Sequence, residues 1–262
     1  NTGNLGTRST TALTDDEKQI NDMTVGIYDK SNNYRVVANL ASGAADKEAS
    51  GSTDGTFTTA SGVKVKVVTS TLQENDQVFV AVNSGTTAFA SKPNSPTKFS
   101  EVTMDATTAL QFKASSTDID ATKFPKFGTA TLPAGSSSTF SATVNVKNLV
   151  SKVTLEDLSV SFTGGPYASA TFTPEKLFLL NVPNKLAFST TGQATSTSTY
   201  LNGTNMDKSG GTTGTETAVL AKTITGAHAL SSAAGGTASF TDKPILYTIP
   251  NSSTSNKTIL VI

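Results

Sequence analysis

The stretch from residue 144 to residue 188 begins with hydrophobic positions that alternate with polar ones, which is the pattern of a half-buried β-strand. The phase of this alternation changes twice. The apolar residues are even-numbered at first, odd-numbered at Val153 and Leu155, and even-numbered again over residues 158–162. Because a shift of one residue turns every side chain of a strand to the opposite face, we expect the segment to be bulged or to cross between two cores. We interpret the first change, at residues 148–150, as the seam between two domains.

Two runs are apolar at both odd and even positions, namely residues 77–83 and 177–182. Such runs are typical of strands that are covered on both faces. We therefore expect residues 77–83 to form a central strand of their sheet.

The N-terminal third begins with a helix signal followed by a hairpin signal. Thr14 and Glu17 have the spacing of a capping box, which predicts a short helix that ends near Asn21. Alternation over residues 23–27, a turn-like stretch and a second extended run at residues 34–40 predict a hairpin with a five-residue connection.

Three later stretches are less regular. We expect residues 118–127 to be irregular and residues 139–146 to be an extended segment that leads into the seam. Most residues of the tract 189–214 are Ser, Thr or Gly. A tract with so little apolar surface is expected to form an excursion on the protein surface.

Composition narrows the possible functions. The chain has 262 residues, no net formal charge and only 15% charged residues. Without a basic patch it is not expected to bind nucleic acid or an anionic membrane surface. No apolar run is long enough to span a membrane as a helix. Cysteine is absent, which excludes disulfides and thiolate metal sites.

Candidate catalytic chemistry is sparse. His228 is the sole histidine, and the sequence has neither a GxSxG nucleophile elbow nor enough ligands for zinc. Asp118 and Asp120 could offer oxygens to calcium, but the EF-hand loop pattern is absent, so we interpret them as a solvated loop. We expect no enzyme activity, no cofactor and no metal.

Four stretches carry a resemblance to a known family. They are the strand at 149–162, the segment YASATFTPEKLFLLNV at 167–182, the strand and turn QVFVAVNSG at 77–85, and the strand KTILVI at 257–262. In their order and spacing along the chain, these stretches resemble those of the fimbrillins of Bacteroidales, the structural subunits of type V pili. The resemblance spans most of the chain.

This resemblance and the strand pattern together predict an all-β fold. We expect two tandem Greek-key, transthyretin-like β-sandwich domains with a few short helices, one at residues 1–146 and one at residues 147–262. The run at 259–262 is strongly apolar, and the family continues beyond the corresponding strand. We therefore expect the second domain to be incomplete and the chain to be a fragment.

By resemblance, the chain would be a structural pilin subunit of an adhesive fimbrium on the cell surface. Such a subunit is exported through the outer membrane as a lipoprotein precursor, and this sequence lacks the family's lipobox cysteine, so we expect it to begin downstream of that residue. Polymerisation would proceed by donor-strand exchange triggered by an arginine-specific protease. Expected partners are neighbouring pilin subunits, that protease, and host proteins or other bacteria in adhesion and biofilm formation.

Arg8 and Ser9 lie where the family's processing site is expected, ahead of the capping box at Thr14. An ordinary exposed arginine is the alternative interpretation of Arg8, and the family context favours the processing site. A different function also stays open, in which a non-polymerising surface lipoprotein binds glycans or host proteins through its loops.

Overall fold

We describe the fold from a computed structural model of the chain. The structure describes residues 13–31, 33–41, 53–58, 62–67, 72–85, 101–135, 139–160, 166–194, 199–204, 214–226, 229–231, 237–240 and 243–262.

Up to residue 135 the described elements are two four-residue α-helices and seven strands, with a 3-10 helix at Ala121–Lys123. In chain order they are α1 (Asp15–Lys18), β1 (Asp22–Tyr28), β2 (Tyr34–Ala41), β3 (Thr53–Thr58), β4 (Gly62–Val67), β5 (Gln77–Val82), β6 (Thr103–Asp105), α2 (Ala106–Ala109) and β7 (Lys126–Thr131).

From residue 139 onward the described elements are short strands and a 3-10 helix at Ala218–Leu220. The strands are β8 (Lys147–Asn148), β9 (Ser151–Thr154), β10 (Asp157–Ser159), β11 (Thr171–Phe172), β12 (Lys176–Leu180), β13 (Val182–Pro183), β14 (Lys185–Ala187), β15 (Tyr200–Gly203), β16 (Thr215–Thr217), β17 (Ala221–Thr223), β18 (Leu230–Ser231), β19 (Thr237–Ser239), β20 (Ile245–Thr248) and β21 (Ile259–Val261). The fold is therefore all-β, as predicted.

The largest sheet has five antiparallel strands in the order β2-β1-β5-β7-β8. Strand β5 is central, which confirms the prediction for residues 77–83. Strands β1 and β2 form the predicted hairpin, and residues 29–33 connect them. The remaining described sheets have two or three strands each.

Strand β5 is apolar at both parities because it contributes to two clusters of buried side chains. Phe79 and Ala81 face the central core, whereas Val78, Val80 and Val82 face the outer core. The outer core also contains Met23, Val25, Ile27 and Leu132.

The central core draws on residues from both halves of the chain. Its members include Tyr28, Phe79, Leu110, Phe124, Phe127, Leu177, Leu186, Phe188, Phe240 and Leu246. Strand pairing also joins the halves, because β6 pairs with β14 and β8 pairs with β7. The domain boundary between residues 146 and 147 and the Greek-key tandem arrangement stay predictions.

The extended segment predicted at residues 139–146 does not pair with any described strand. Phe140, Val144 and Val146 pack against the outer core, so the alternation reports burial without a β-ladder. A Cβ on Gly128 would collide with the Asn145 carbonyl oxygen, so this part of the segment lies directly against β7. The segment therefore crosses the face of β7, which explains why this stretch is not a strand.

Two other predictions were wrong in part. Phe127 was predicted to be irregular but lies in β7 and is buried, since the strand starts directly after Pro125. The tract 189–214 contains β15, in which Leu201 joins the central core. Asn202 of the same strand is also buried. Residues 195–198 and 205–213 of this tract lie outside the described residues.

Candidate functional site

The predicted processing residues Arg8 and Ser9 lie outside the described residues, which begin at Leu13. Their role stays a prediction. Shortly after the start of the described chain lie residues 14–21, which we call the N-terminal clasp. The clasp is close in sequence to the predicted cleavage point. Its contacts hold the chain downstream of that point in place.

The clasp opens with the predicted capping box. The Thr14 hydroxyl accepts a hydrogen bond from the Glu17 backbone N–H at 3.2 Å, and the Thr14 N–H donates to Glu17 Oε2 at 2.7 Å. The helix has one turn and ends at Lys18, before the predicted end near Asn21, because Gln19 leaves the helical region, with φ −58° and ψ 144°. A single turn therefore precedes the extended residues that enter β1.

Besides its role in the helix cap, the Glu17 side chain contacts residues of the C-terminal half of the chain. Its side chain is buried, and its Oε1 accepts a hydrogen bond from the Tyr247 hydroxyl at 3.2 Å. The Lys152 ammonium lies 3.6 Å from the same oxygen. Tyr247 and Lys152 are register partners in the β20–β9 pair, so one two-stranded sheet supplies both contacts.

The environment of Glu17 keeps its carboxyl group ionised. Burial raises its pKa, but the Thr14 N–H, the Lys152 charge and the hydroxyls of Thr14 and Tyr247 together outweigh that effect. The net result is a pKa below the ordinary value of 4.5. Burial and the Glu17 charge raise the pKa of Tyr247, which therefore stays a neutral donor.

The C-terminal end of the clasp is fixed by Asn83 and Lys126. The Gln19 carbonyl oxygen accepts from Lys126 Nζ at 2.9 Å and from Asn83 Nδ2 at 3.2 Å. The Asn21 N–H donates to Asn83 Oδ1 at 2.8 Å. Asn83 and Lys126 both also donate to the Phe124 carbonyl oxygen. These contacts tie the clasp to the ends of β5 and β7.

Burial lowers the pKa of Lys126 to about 8, against an opposing effect of the Glu17 charge. A buried ammonium is costly unless it is hydrogen-bonded, and the two carbonyl oxygens at 2.9 and 3.0 Å meet that need. Asn83 has φ +55°, a left-handed conformation that asparagine tolerates better than most residues. The side chains of Asn83 and Lys126 thus fix the geometry at the C-terminal end of the clasp.

Sequence reasoning missed the contacts of the clasp beyond its capping box. Asn83 was noted only as part of a strand-and-turn motif, and Lys126 was not singled out. An available signal for Lys126 was its position directly after Phe124 and Pro125 and before Phe127, a lysine within an apolar run. The partners of Glu17 had no local signal, because Lys152 and Tyr247 are distant in sequence.

A groove with a volume of about 430 Å³ lies between the loop at residues 112–119 and strands β17 and β20. Phe112, which is partly exposed, and Ile119 line it on one side, and Ile245 lines it on another. The Lys222 ammonium pairs with the Asp118 carboxylate at 3.1 Å at its rim. The Asp118 side chain is exposed and paired with a lysine, in agreement with the interpretation of this region as a solvated loop.

The C-terminal strand β21 pairs with β12, with Phe178 opposite Val261 and Leu180 opposite Ile259. Ile259 is 46% exposed and Ile262 is 38% exposed. Strand β21 is therefore a half-buried strand at the end of the described sheet β17-β12-β21.

Within the described ranges, no group of three or more His, Asp or Glu residues is placed to hold a metal ion. His228 lies outside those ranges. None of the helices in the described part of the chain has the length and hydrophobicity needed to cross a membrane.

Comparison with known proteins finds similarity at the level of structure. No protein-family model matches the sequence, and no curated protein matches it. The fold is similar to a candidate cell adhesion protein from Bacteroides eggerthii, with a TM-score of 0.60 at 16% identity over 92% of this chain. It is also similar to two candidate cell adhesion proteins from Parabacteroides distasonis. Their TM-scores are 0.63 and 0.53, at 12% and 13% identity over 99% and 96% of this chain.

The chain spans 66%, 70% and 74% of the length of these three structures, respectively. At such identities the similarity concerns the fold, and it extends over nearly all of the present chain. The protein therefore has the all-β fold of these candidate cell adhesion proteins from Bacteroides and Parabacteroides.

Proposed function

We propose that this protein is a structural pilin subunit of an adhesive fimbrium on the cell surface. The observation that carries the proposal is the fold similarity, over 92–99% of the chain, to three candidate cell adhesion proteins. The ordered motifs that resemble fimbrillins support the same function.

The proposed assembly mechanism is donor-strand exchange triggered by cleavage after Arg8. Removing one strand from an all-β domain leaves buried backbone groups unpaired, at a cost of about 1–3 kcal/mol for each group. An extended segment of a neighbouring subunit that enters the vacated position restores both the hydrogen bonds and the packing.

The N-terminal clasp supports this mechanism because of where it anchors the chain. Glu17 and Gln19 are bound to side chains of β9, β20 and β7. A cut between Arg8 and Ser9 would release the residues before it, while the clasp would keep the new N-terminus attached to the body of the subunit. The subunit could then lose a strand without losing its fold.

The proposed life cycle has three further parts. The precursor is a lipoprotein exported to the outer membrane, an arginine-specific protease processes it there, and the fimbria mediate contact with host proteins or other bacteria and biofilm formation. Neighbouring subunits are the principal partners.

The test is to compare wild-type protein with Arg8→Ala and Arg8→Lys in the organism that produces it. Fibres on the cell surface are counted by immunoelectron microscopy, and ladders of subunits are measured on unheated denaturing gels. Wild-type protein should form both. Both variants should remain monomeric, since lysine keeps the charge but is not a substrate for an arginine-specific protease. Fibres of normal length from either variant would refute cleavage after Arg8 as the trigger.

A second candidate function is favoured by the groove beside Phe112. In this alternative the protein does not polymerise and binds glycans or host proteins on the cell surface. An exposed aromatic ring next to paired charges, Lys222 and Asp118, can stack on a sugar ring or hold an apolar side chain. Binding of labelled glycans that is lost in Phe112→Ala, in a protein that forms no fibres, would favour this alternative.

A further inference from the structure

The chain contains two arginines, Arg8 and Arg35. Arg35 lies in β2 at a β-bulge, because Ile27 is paired with Val36 and Tyr28 with Tyr34. Arg35 is the additional residue between these two pairs. A bulge of this kind changes the direction of the side chain on the extra residue, and here that side chain is directed toward the start of β5.

Arg35 meets a buried carboxylate at that position. Arg35 Nε lies 2.6 Å from Asp76 Oδ2, and the two side chains are 17% and 2% exposed, respectively. Asp76 is itself held in place by two hydrogen bonds. Its side-chain Oδ2 accepts one from the Gln73 N–H at 2.8 Å, and its backbone carbonyl oxygen accepts one from the Leu132 N–H at 2.8 Å. The arginine side chain is thereby held against the body of the sheet.

Strand β2 would otherwise be exposed to proteolysis. It is the terminal strand of the five-stranded sheet within the described part of the chain, and edge strands present backbone groups that another extended chain can pair with. An arginine-specific protease must in addition bind the arginine side chain in its own acidic pocket. The Arg35 side chain is largely buried with its Nε against the Asp76 carboxylate, so it must first leave this pair before it can enter the pocket of a protease.

We propose that the pairing of Arg35 with Asp76 withholds Arg35 from arginine-specific proteases, so that cleavage of the folded chain is confined to Arg8. Asp76 is then a residue that determines the specificity of maturation although it is 68 positions from the predicted cleavage site. The biological role of this protection rests on the proposed function, but the protection itself does not.

The decisive experiment treats purified, folded protein with an arginine-specific endoprotease and identifies the new N-termini by intact mass and sequencing. Wild-type protein should be cut after Arg8 and should resist cleavage after Arg35. Asp76→Asn removes the charge and keeps the size of the side chain, and it should produce a fragment that begins at Val36. We expect a rate increase of about tenfold or more at this site, because cleavage follows the population of the locally opened strand.

Three controls separate local protection from general loss of stability. Asp76→Glu keeps the carboxylate and should restore much of the resistance. Gly128→Ala should weaken the fold elsewhere, and at matched stability it should be cut after Arg35 more slowly than Asp76→Asn. A protease specific for aromatic residues should cut Gly128→Ala and Asp76→Asn at similar rates.

The inference is overturned if wild-type protein is cut after Arg35 as readily as Asp76→Asn, if Asp76→Asn stays uncut there, or if Gly128→Ala at matched stability is cut equally fast. These outcomes are independent of fibre formation. If Arg8 proves dispensable for assembly, the proposed function fails while the protection of Arg35 can still stand.

Discussion

The Tyr247 hydroxyl donates a hydrogen bond to Glu17 Oε1 at 3.2 Å and joins two residues that lie 230 positions apart in the sequence. Glu17 already uses its other carboxylate oxygen to cap α1 through the Thr14 N–H. One buried carboxylate thus closes a helix and attaches it to β20. The strength of this attachment can be measured.

Tyr247→Phe should lower the free energy of unfolding by about 1 kcal/mol, the typical net contribution of a single hydrogen bond. The ring itself should stay in place, since it packs edge-on against Phe124 with centroids 4.7 Å apart. Chemical denaturation monitored by circular dichroism provides the measurement. Tyr167→Phe is the matched control, because Tyr167 is 71% exposed and its loss should change stability little. Equal effects of the two substitutions would contradict the assigned role of Tyr247.

Lys126 should make stability depend on pH in the alkaline range. Its folded-state pKa is about 8, below the ordinary value of 10.5. Between these values the unfolded chain binds a proton at this site that the folded chain does not, so stability rises with pH. Relative to Lys126→Met, wild-type protein should gain on the order of 3 kcal/mol over this window.

The measurement for Lys126 is the difference in unfolding free energy between wild type and variant at pH 7.5, 9 and 10.5. Groups common to both proteins cancel in this difference. Lys18→Met, at an exposed position of the clasp, should give a difference that changes much less with pH. Parallel curves for wild type and Lys126→Met would show that Lys126 is not desolvated in solution.

Glu17 should make stability depend on pH in the acid range, and here too stability should rise with pH. Its folded-state pKa lies below 4.5, so the ionised carboxylate stabilises the fold above that pH, and this contribution is lost as the pH falls through the folded-state pKa. Glu17→Gln should therefore be less stable than wild type at pH 7, and the gap should narrow below pH 4.5. Asp15→Asn, whose side chain is 96% exposed in the wild type, is the control. A gap that stays constant down to the acid transition would argue against an ionic role.

Gly128→Ala should destabilise the protein by about 1–3 kcal/mol, the usual cost of overpacking. The added methyl group would collide with the carbonyl oxygen of Asn145 and lie 2.9 Å from its carbonyl carbon. The obstacle is backbone, so a side-chain rotation cannot relieve it. Thermal unfolding of Gly128→Ala and of Thr129→Ala, an exposed position on the same strand, gives the comparison. If Gly128→Ala is as stable as wild type, the crossing segment at 139–146 is more mobile than its packing implies.

The local features of this fold were readable from sequence because they depend on neighbours in the chain. The capping box of Thr14 and Glu17, the hairpin around residues 29–33 and the central strand β5 follow from spacing and periodicity alone. The segment at residues 139–146 was expected to be extended and to lead into the seam, but the sequence could not show whether it has a ladder partner, since periodicity does not distinguish a paired strand from a segment that crosses a sheet face.

The contacts of the clasp required the tertiary structure. Lys126 reaches the Gln19 carbonyl oxygen across 107 positions of sequence, and Asn83 reaches the Asn21 N–H across 62. A buried lysine has no sequence signature that separates it from an exposed one when its partners are backbone carbonyls. The same holds for Arg35, whose burial depends on a bulge that the hairpin pattern does not reveal.

The pairing of β6 with β14 has a consequence for biosynthesis. Met104 is opposite Leu186 in this pair, so the strand partner of β6 is translated about 80 residues later. At about 5–20 residues per second, a ribosome takes about 4–16 s to cover that distance. For most of that interval the nascent chain carries Leu110 and Phe124 without Leu186 and Phe188, which later share their core. Chaperones that hold unfinished chains would therefore find their binding sites in this part of the polypeptide.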